Sequence, residues 1–577
     1  MGKDEARGGA RPQKATTPSE PPRAWVSWGA FLLVGLILYG PVLDGAFISD
    51  DSHYVLKNQY VHDLTLDNVV AIWDPTSEVA VLVENYAPVH LMLHSFEWQI
   101  FGPEVTGYHV VNLALHAWAA ALLILLYRRS GLGPWVAWAG ATWFFLHPGN
   151  VESVAWISQL KSSAALVLSL LAILAHPSRP LWALLFFTLA LFAKPFSAFA
   201  LPVVVLFSWC RWRAARESGE VGMSFGWGWL SGWAVVVGLF AWVESAAFGQ
   251  SAGLAPPLYA ELSVRYMTIF SVFIRYAWMT LSGMGLSTFH EPPPVLGPGD
   301  LYFLAGVVLM VLLGWRTLLT LRRGSEESVW WLWAAIALAP LSGVLPLPYP
   351  MADRYLYFVL PGLIGGSCFA WRDSIAPWLG RFFDPVARER LKHGLVGAFV
   401  LWLLWFCWQT YQQAPVYRSA EALMAEAERN YPDGAAAQIR RAGREAATGN
   451  VVAAIQHLRA ARARGYNRVD HLMGDRRYDS LRSEPEFIEL RDEMAEDWIA
   501  RLESDPEPSH YKARALAQAY VAKGDLSGAL AVIEHAAERP GPIGEGLRAD
   551  AEQLRSQIAL EGRLSAERER LRTRRRE

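Results

Sequence analysis

At 577 residues, 53% hydrophobic and only 18% charged, with 27 tryptophans and a mean hydropathy of +0.18, the chain lacks the composition of a run of soluble domains. A net charge of −2 gives no reason to expect nucleic acid or an acidic partner. Three scattered cysteines, Cys210, Cys368 and Cys407, fit neither a disulfide framework nor a metal-ligand spacing.

The first 23 residues are polar and basic and read as a cytoplasmic tail. The apolar run 24–43 follows. It could be a signal peptide, but it is long and no clean small-x-small cleavage site follows, so we read an uncleaved first span. Residues 44–106 are then a polar outer loop, opening on "AFISDDSHYVLKNQYV". Apolar windows recur at 108–127, 134–147, 151–175, 180–194, 196–210, 226–247, 301–321, 329–346, 355–372 and 393–412. Together with 24–43 they give about eleven crossings, so 24–412 reads as an all-α polytopic membrane bundle.

Basic residues in short loops set its orientation. Arg128 and Arg129, then Arg211, Arg213 and Arg216, then Arg322 and Arg323, then the loop with Arg372, Arg381, Arg388, Arg390 and Lys392, should all face the cytoplasm. They do so together only if 266–289 enters and leaves on the other side. That stretch is therefore expected to be re-entrant or a paired half-helix, the alternative being a twelfth span that breaks the charge rule. The outer side then collects the 44–106 loop, "HPGNVES" from His147, "AKPFS" from Ala193, the 248–300 segment and "PLPYPMADRYLY" from Pro346. The C-terminal domain lies there as well.

From about Tyr417 the composition turns to Ala, Arg and Glu with helical periodicity. Two segments superimpose when aligned on Gly449 and Gly524. Each has Ala seven before (Ala442, Ala517), Ala five after (Ala454, Ala529), an aliphatic nine after (Leu458, Ile533) and Ala twelve after (Ala461, Ala536). Small residues at fixed offsets around a Gly-Asn or Gly-Asp turn let antiparallel helices pack closely, the logic of a tetratricopeptide repeat. An ordinary helical bundle is the alternative. We place this short repeat-like domain at 413–560 and a charged tail at 561–577.

Charges within the apolar part are scarce, and an ionisable residue inside a span is by default a functional candidate. Against 44 arginines the chain has eight lysines, yet Lys161 and Lys194 fall in apolar stretches, and Arg354 stands beside Asp353 at the start of another span. Three cations near one face suggest a site for a lipid-borne phosphate, which they would bind and stabilise as a leaving group. Asp50 and Asp51 supply a carboxylate pair, one member able to act as general base while the other orients the loop. Blander readings stand beside these. The Asp pair could cap a loop helix, the lysines could snorkel to headgroups, His147 and Glu152 could be a structural hydrogen-bonded pair, and Asp353–Arg354 an ion pair that fixes topology. A non-catalytic scaffold or lipid-carrier transporter would spread charge through the depth of the bilayer, whereas Lys194, Arg354 and the Asp pair gather at one face and only Lys161 sits deeper.

The segments "FISDDSHYVLKNQYV", "YAPVHLMLHSFEWQIFGPEVTGYHVVNLALHA", "FFLHPGNVESVAWISQLKSS", "AKPFSAFALPVVVL" and "MADRYLYFVLPG" occur in order, with a repeat domain closing the chain. This resembles the transmembrane and tetratricopeptide-repeat O-mannosyltransferase family and its bacterial relatives, of the GT-C glycosyltransferase class. The resemblance implies metal-independent, inverting transfer of a sugar, with mannose expected, from a polyprenyl-phosphate donor to a Ser or Thr hydroxyl of a secreted or membrane protein. A lipid or glycan acceptor is the alternative within the class. It further implies a base at Asp50, donor-phosphate contacts at Arg354 and Lys194, no cofactor beyond the lipid-linked substrate, and a bacterial inner membrane with the site facing the periplasm. The sequence departs from many bacterial relatives at "QLKSS", where they carry an Arg-Lys-Asp run, and at "AKP", where Ser-Lys-Pro is commoner.

Overall fold

The computed structural model describes residues 23–83, 85–219, 225–248, 261–341, 350–503, 510–538 and 542–574. Most of the basic tail, parts of the 248–300 segment, the start of "PLPYPMADRYLY" and the chain end lie outside these residues. Among the described residues the fold is all-helical, without a strand. Six helices are long and apolar enough to cross a membrane: Val105–Arg129, Ile157–Ala175, Pro195–Glu217, Trp227–Ser245, Leu301–Arg322 and Pro385–Arg418. Shorter apolar helices, among them Ala24–Leu38, Pro180–Ala193 and Glu327–Leu341, complete the bundle.

The bundle's interior is aromatic and closely packed. Trp330, Trp333, Phe144, Phe187 and Tyr357 are fully buried. Helix Leu356–Ala370 approaches Glu327–Leu338 through glycines, where small residues permit contacts that larger ones would block. A Cβ on Gly362 would stand 2.5 Å from the Ala334 nitrogen. The opposite condition holds on the outside. Val308, Val311, Leu312 and Trp315 of Leu301–Arg322, and Val396, Val400, Leu401 and Leu404 of Pro385–Gln413, are exposed. A continuous apolar exterior of this kind suits hydrocarbon rather than water.

The two ends of the bundle differ. At one, the basic loops meet: Arg372 donates to the Gly131 carbonyl at 2.7 Å, and Arg211 lies 3.9 Å from Glu326. At the other, 44–106 forms a small helical layer with its own apolar core around Tyr54, Val61, Ile72, Leu91 and Tyr108.

Two expectations need correction. Residues 266–289 are not a pair of half-helices: Leu262–Ser282 is one uninterrupted helix, closed by Gly283 at φ 70°. It packs on Leu301–Arg322 with Phe270 against Gly306 and Arg275 over the Tyr302 ring, so its middle faces that helix's first turns. The expected span 151–175 is broken instead: Val151–Ala155 is a short helix, Trp156 is extended, and the regular helix restarts at Leu160.

The C-terminal part is a series of helical hairpins. Ala435–Ala447 pairs with Val451–Ala463, and His510–Ala522 with Leu526–Ala537. Gly449 and Gly524 both turn at φ 80°, and Asn450 and Asp525 cap the helices that follow. All eight residues that the alignment singled out, Ala442, Ala454, Leu458 and Ala461 with Ala517, Ala529, Ile533 and Ala536, are buried.

Candidate functional site

The break at Trp156 follows from side chains that replace helical hydrogen bonds. Asn112 donates its amide to the carbonyls of Trp156 and Ile157, at 3.1 and 3.2 Å. Asp51 accepts the Ser158 N–H at 2.7 Å through one oxygen and the Ile48 N–H at 2.9 Å through the other. Its carboxylate is fully buried, and burial pushes its pKa up to about 7 against the pull of those two amides. Asp51 is thus the bolt that joins the first loop to the broken helix.

Its neighbour Asp50 is half-buried, and among the described residues its carboxylate accepts only the Ser49 hydroxyl, at 3.2 Å. Ser49 is the one non-glycine with positive φ among the described residues, at 48°. Left-handed backbone at a non-glycine residue carries conformational strain. After Asp50 the chain makes one π-helical turn, Ser52–Leu56, and the Tyr54 N–H returns to the Asp50 carbonyl at 3.0 Å.

Tyr54 leads to the cations. Lys161 donates to the Tyr54 hydroxyl at 3.1 Å and stands 4.3 Å from its ring centre. Lys194 donates to Ser162 Oγ at 2.7 Å, close enough to Lys161, Arg354 and Glu152 to interact with all three. Arg354 is held by Glu152, through its backbone N–H at 2.7 Å and its guanidinium at 2.5 Å, and faces the Trp156 ring at 5.8 Å. The Trp156 indole in turn donates to the Ile48 carbonyl at 3.4 Å, two residues before Asp50. The structure therefore gathers Lys161, Lys194 and Arg354 beside the loop of Asp50 and Asp51, with Trp156 and Tyr54 as the links. Among the described residues neither lysine has a carboxylate within ion-pair distance.

Two pairings differ from those weighed on sequence. His147 and Glu152 do not bond each other: His147 accepts the Gly149 N–H and bonds the Thr280 carbonyl, a local cap, while Glu152 serves Arg354. Nor do Asp353 and Arg354 pair. Asp353 is buried, its carboxyl pushed up by desolvation and opposed by His290, which it meets at 2.6 Å; it also accepts the Ser287 N–H.

That segment reaches the C-terminal domain. Glu426 accepts the Thr288 N–H and hydroxyl at 3.0 and 2.8 Å, His290 meets the Tyr431 hydroxyl at 3.2 Å, and Glu291 caps the helix starting at Ala435. Ala46 also donates to the Arg418 carbonyl at 2.9 Å. The helical domain is thus seated at the same end as the site.

The sequence reading missed Tyr54, Trp156 and a buried row on Pro88–Phe101. His90 packs its edge on Tyr54 at 4.8 Å and on His94 at 4.4 Å, and His94 bonds Glu97 at 2.6 Å. Burial first, then His94 and the two lysines, hold His90 well below the ordinary imidazole range. The i, i+4, i+7 spacing in "HLMLHSFE" was the available signal. Among the described residues no group of three His, Cys, Asp or Glu could hold a metal ion. Compared with models of known families, curated proteins and solved structures, the chain finds no match.

Proposed function

We propose that the chain is an inverting membrane glycosyltransferase of the GT-C class, moving a sugar from a polyprenyl-phosphate donor to a Ser or Thr hydroxyl of a secreted or membrane protein, with mannose as the expected sugar. The observation that carries this reading is the surplus of positive charge at one end of the bundle. Glu152 is bonded to Arg354, and among the described residues neither Lys161 nor Lys194 has a carboxylate within ion-pair distance. Charges withdrawn from water without a counter-ion are costly, and a phosphodiester held at lipid depth supplies the missing anion.

In this reading Lys161, Lys194 and Arg354 hold the donor phosphate, and Glu152 keeps the guanidinium aimed. Asp50 takes the proton of the acceptor hydroxyl as its oxygen bonds the anomeric carbon. The bond from that carbon to phosphate breaks, and the cations stabilise the second negative charge gained by the departing polyprenyl phosphate. Asp51 fixes the loop, leaving its neighbour to do the chemistry.

The two equivalent hairpins support a tetratricopeptide-like domain that presents the acceptor, seated where the sugar leaves the donor. The clustering of basic loops at the opposite end supports a bacterial inner-membrane orientation with site and helical domain away from the cytoplasm. Helix Leu262–Ser282, whose middle lies against the start of Leu301–Arg322, supports a segment that dips from the site side.

The test is transfer from radiolabelled polyprenyl-phosphate mannose to periplasmic protein by the purified chain. Loss of transfer in Asp50→Asn, with donor binding retained, upholds the assignment. Transfer that survives this change removes Asp50 from the chemistry, and absence of transfer or binding with any polyprenyl-phosphate sugar sinks the reading.

A further inference from the structure

Tyr54 is buried, yet its hydroxyl is used on one side only. Its oxygen accepts from Lys161 at 3.1 Å and from the Asn85 amide at 3.5 Å. A phenol also carries one proton to donate, and among the described residues no acceptor takes it. The ring has little freedom to search for one. Lys161 stands over it at 4.3 Å and His90 packs on it at 4.8 Å, while the Tyr54 N–H is tied to the Asp50 carbonyl. One unused donor therefore sits next to an ammonium that has no carboxylate partner among the described residues, a single helical turn from Asp50, and an anion oxygen placed between them satisfies both groups.

We infer that Tyr54 is a phosphate-binding residue, donating its hydroxyl proton to an oxygen of the anion that Lys161 binds. The inference rests on the reading of this pocket as a phosphate site and adds a neutral contact to the three cations. It also gives the π-helical turn Ser52–Leu56 a purpose: the turn sets phosphate contact and base on one short, rigid piece of chain.

Binding of a polyprenyl monophosphate and, separately, of inorganic phosphate to the full-length protein in detergent tests this, using wild type, Tyr54→Phe, Lys161→Met and the double variant. Phenylalanine keeps the ring and its packing, and thermal melting verifies each fold. A hydrogen bond to a charged group corresponds to roughly 10- to 100-fold in affinity. We expect that loss in Tyr54→Phe and a further loss when Tyr54→Phe is added to Lys161→Met. A tyrosine that merely positions Lys161 gives no further loss in the double variant, and that result, or wild-type affinity in Tyr54→Phe, overturns the inference while leaving the pocket intact. Tyr54-dependent binding of the lipid that inorganic phosphate does not displace assigns the anion to the lipid headgroup. Equal Tyr54-dependent binding of inorganic phosphate upholds the contact but removes the lipid. A wild-type protein that binds neither probe fails the underlying reading itself.

Discussion

Two buried polar regions lie at the same end of this bundle, and they are built on opposite terms. Around Asp353 most polar groups are matched: His290, Ser287 and Thr288 meet Asp353 and Glu426, and Tyr431 takes the remaining ring nitrogen of His290, the nearby Tyr417 hydroxyl being the exception. Around Tyr54 they are not. Among the described residues Lys161 and Lys194 have no carboxylate within ion-pair distance, the Tyr54 proton has no acceptor, and neither ring nitrogen of His90 makes a well-formed hydrogen bond, although the Ser158 backbone lies beside it. Saturated networks of this kind hold a structure together, whereas leftover capacity calls for something that arrives later. Asp50 and Asp51 repeat the contrast within two adjacent residues.

The sharpest way to break this comparison is at the adjacent pair. Asp50→Asn should lower sugar transfer by about 10²- to 10⁴-fold with little change in melting temperature, read by radiolabel transfer and thermal melting on one preparation. On the saturated side, Glu426→Ala leaves the Thr288 amide and hydroxyl buried without an acceptor, and should cost about 3 kcal/mol in denaturant unfolding. Near-neutral stability in this variant would erase the distinction between the regions.

The pH dependence of stability sharpens it further. Asp51 has its folded pKa raised from 3.8 to about 7, so its contribution is fully present below 3.8 and is lost as pH rises to about 7. Stability should fall across that window by roughly 1 kcal/mol per pH unit. In Asp51→Asn that part of the slope should vanish, even though the variant is less stable throughout. Thermal melting at stepped pH reads the slope. The smallest effect is expected at Lys194, which is half-buried. Lys194→Met should raise the melting temperature by an amount worth several tenths of a kcal/mol up to ~1 kcal/mol, screening having taken the rest, while weakening binding of polyprenyl phosphate.

The apolar spans, the alanine offsets of the two hairpins and the isolation of Lys161 and Lys194 were legible in the sequence, because periodicity and charge scarcity are local properties. Pairing was not. Nothing near Arg354 says that its carboxylate arrives from Glu152, 202 positions earlier, rather than from adjacent Asp353. The break at Trp156 was equally hidden. The local sequence "VAWISQL" has no proline or glycine to announce it, and the helix yields because Asn112 and Asp51 reach in from other elements. The continuity of helix Leu262–Ser282, which removes the paired half-helix alternative for this stretch, was also hidden, because a charge rule counts crossings and does not detect continuity.

The clamp on residues 287–291 also bears on the order in which the chain is made. The ribosome releases the bundle first, and Glu426, Tyr431 and the amides of Ala435 and Ala436 emerge only after it. Until they do, Thr288, His290 and Glu291 lack the partners that brace the segment against Asp353, the residue next to Arg354. A nascent bundle thus emerges with this segment still loose, and the helical domain translated after it is what tightens it.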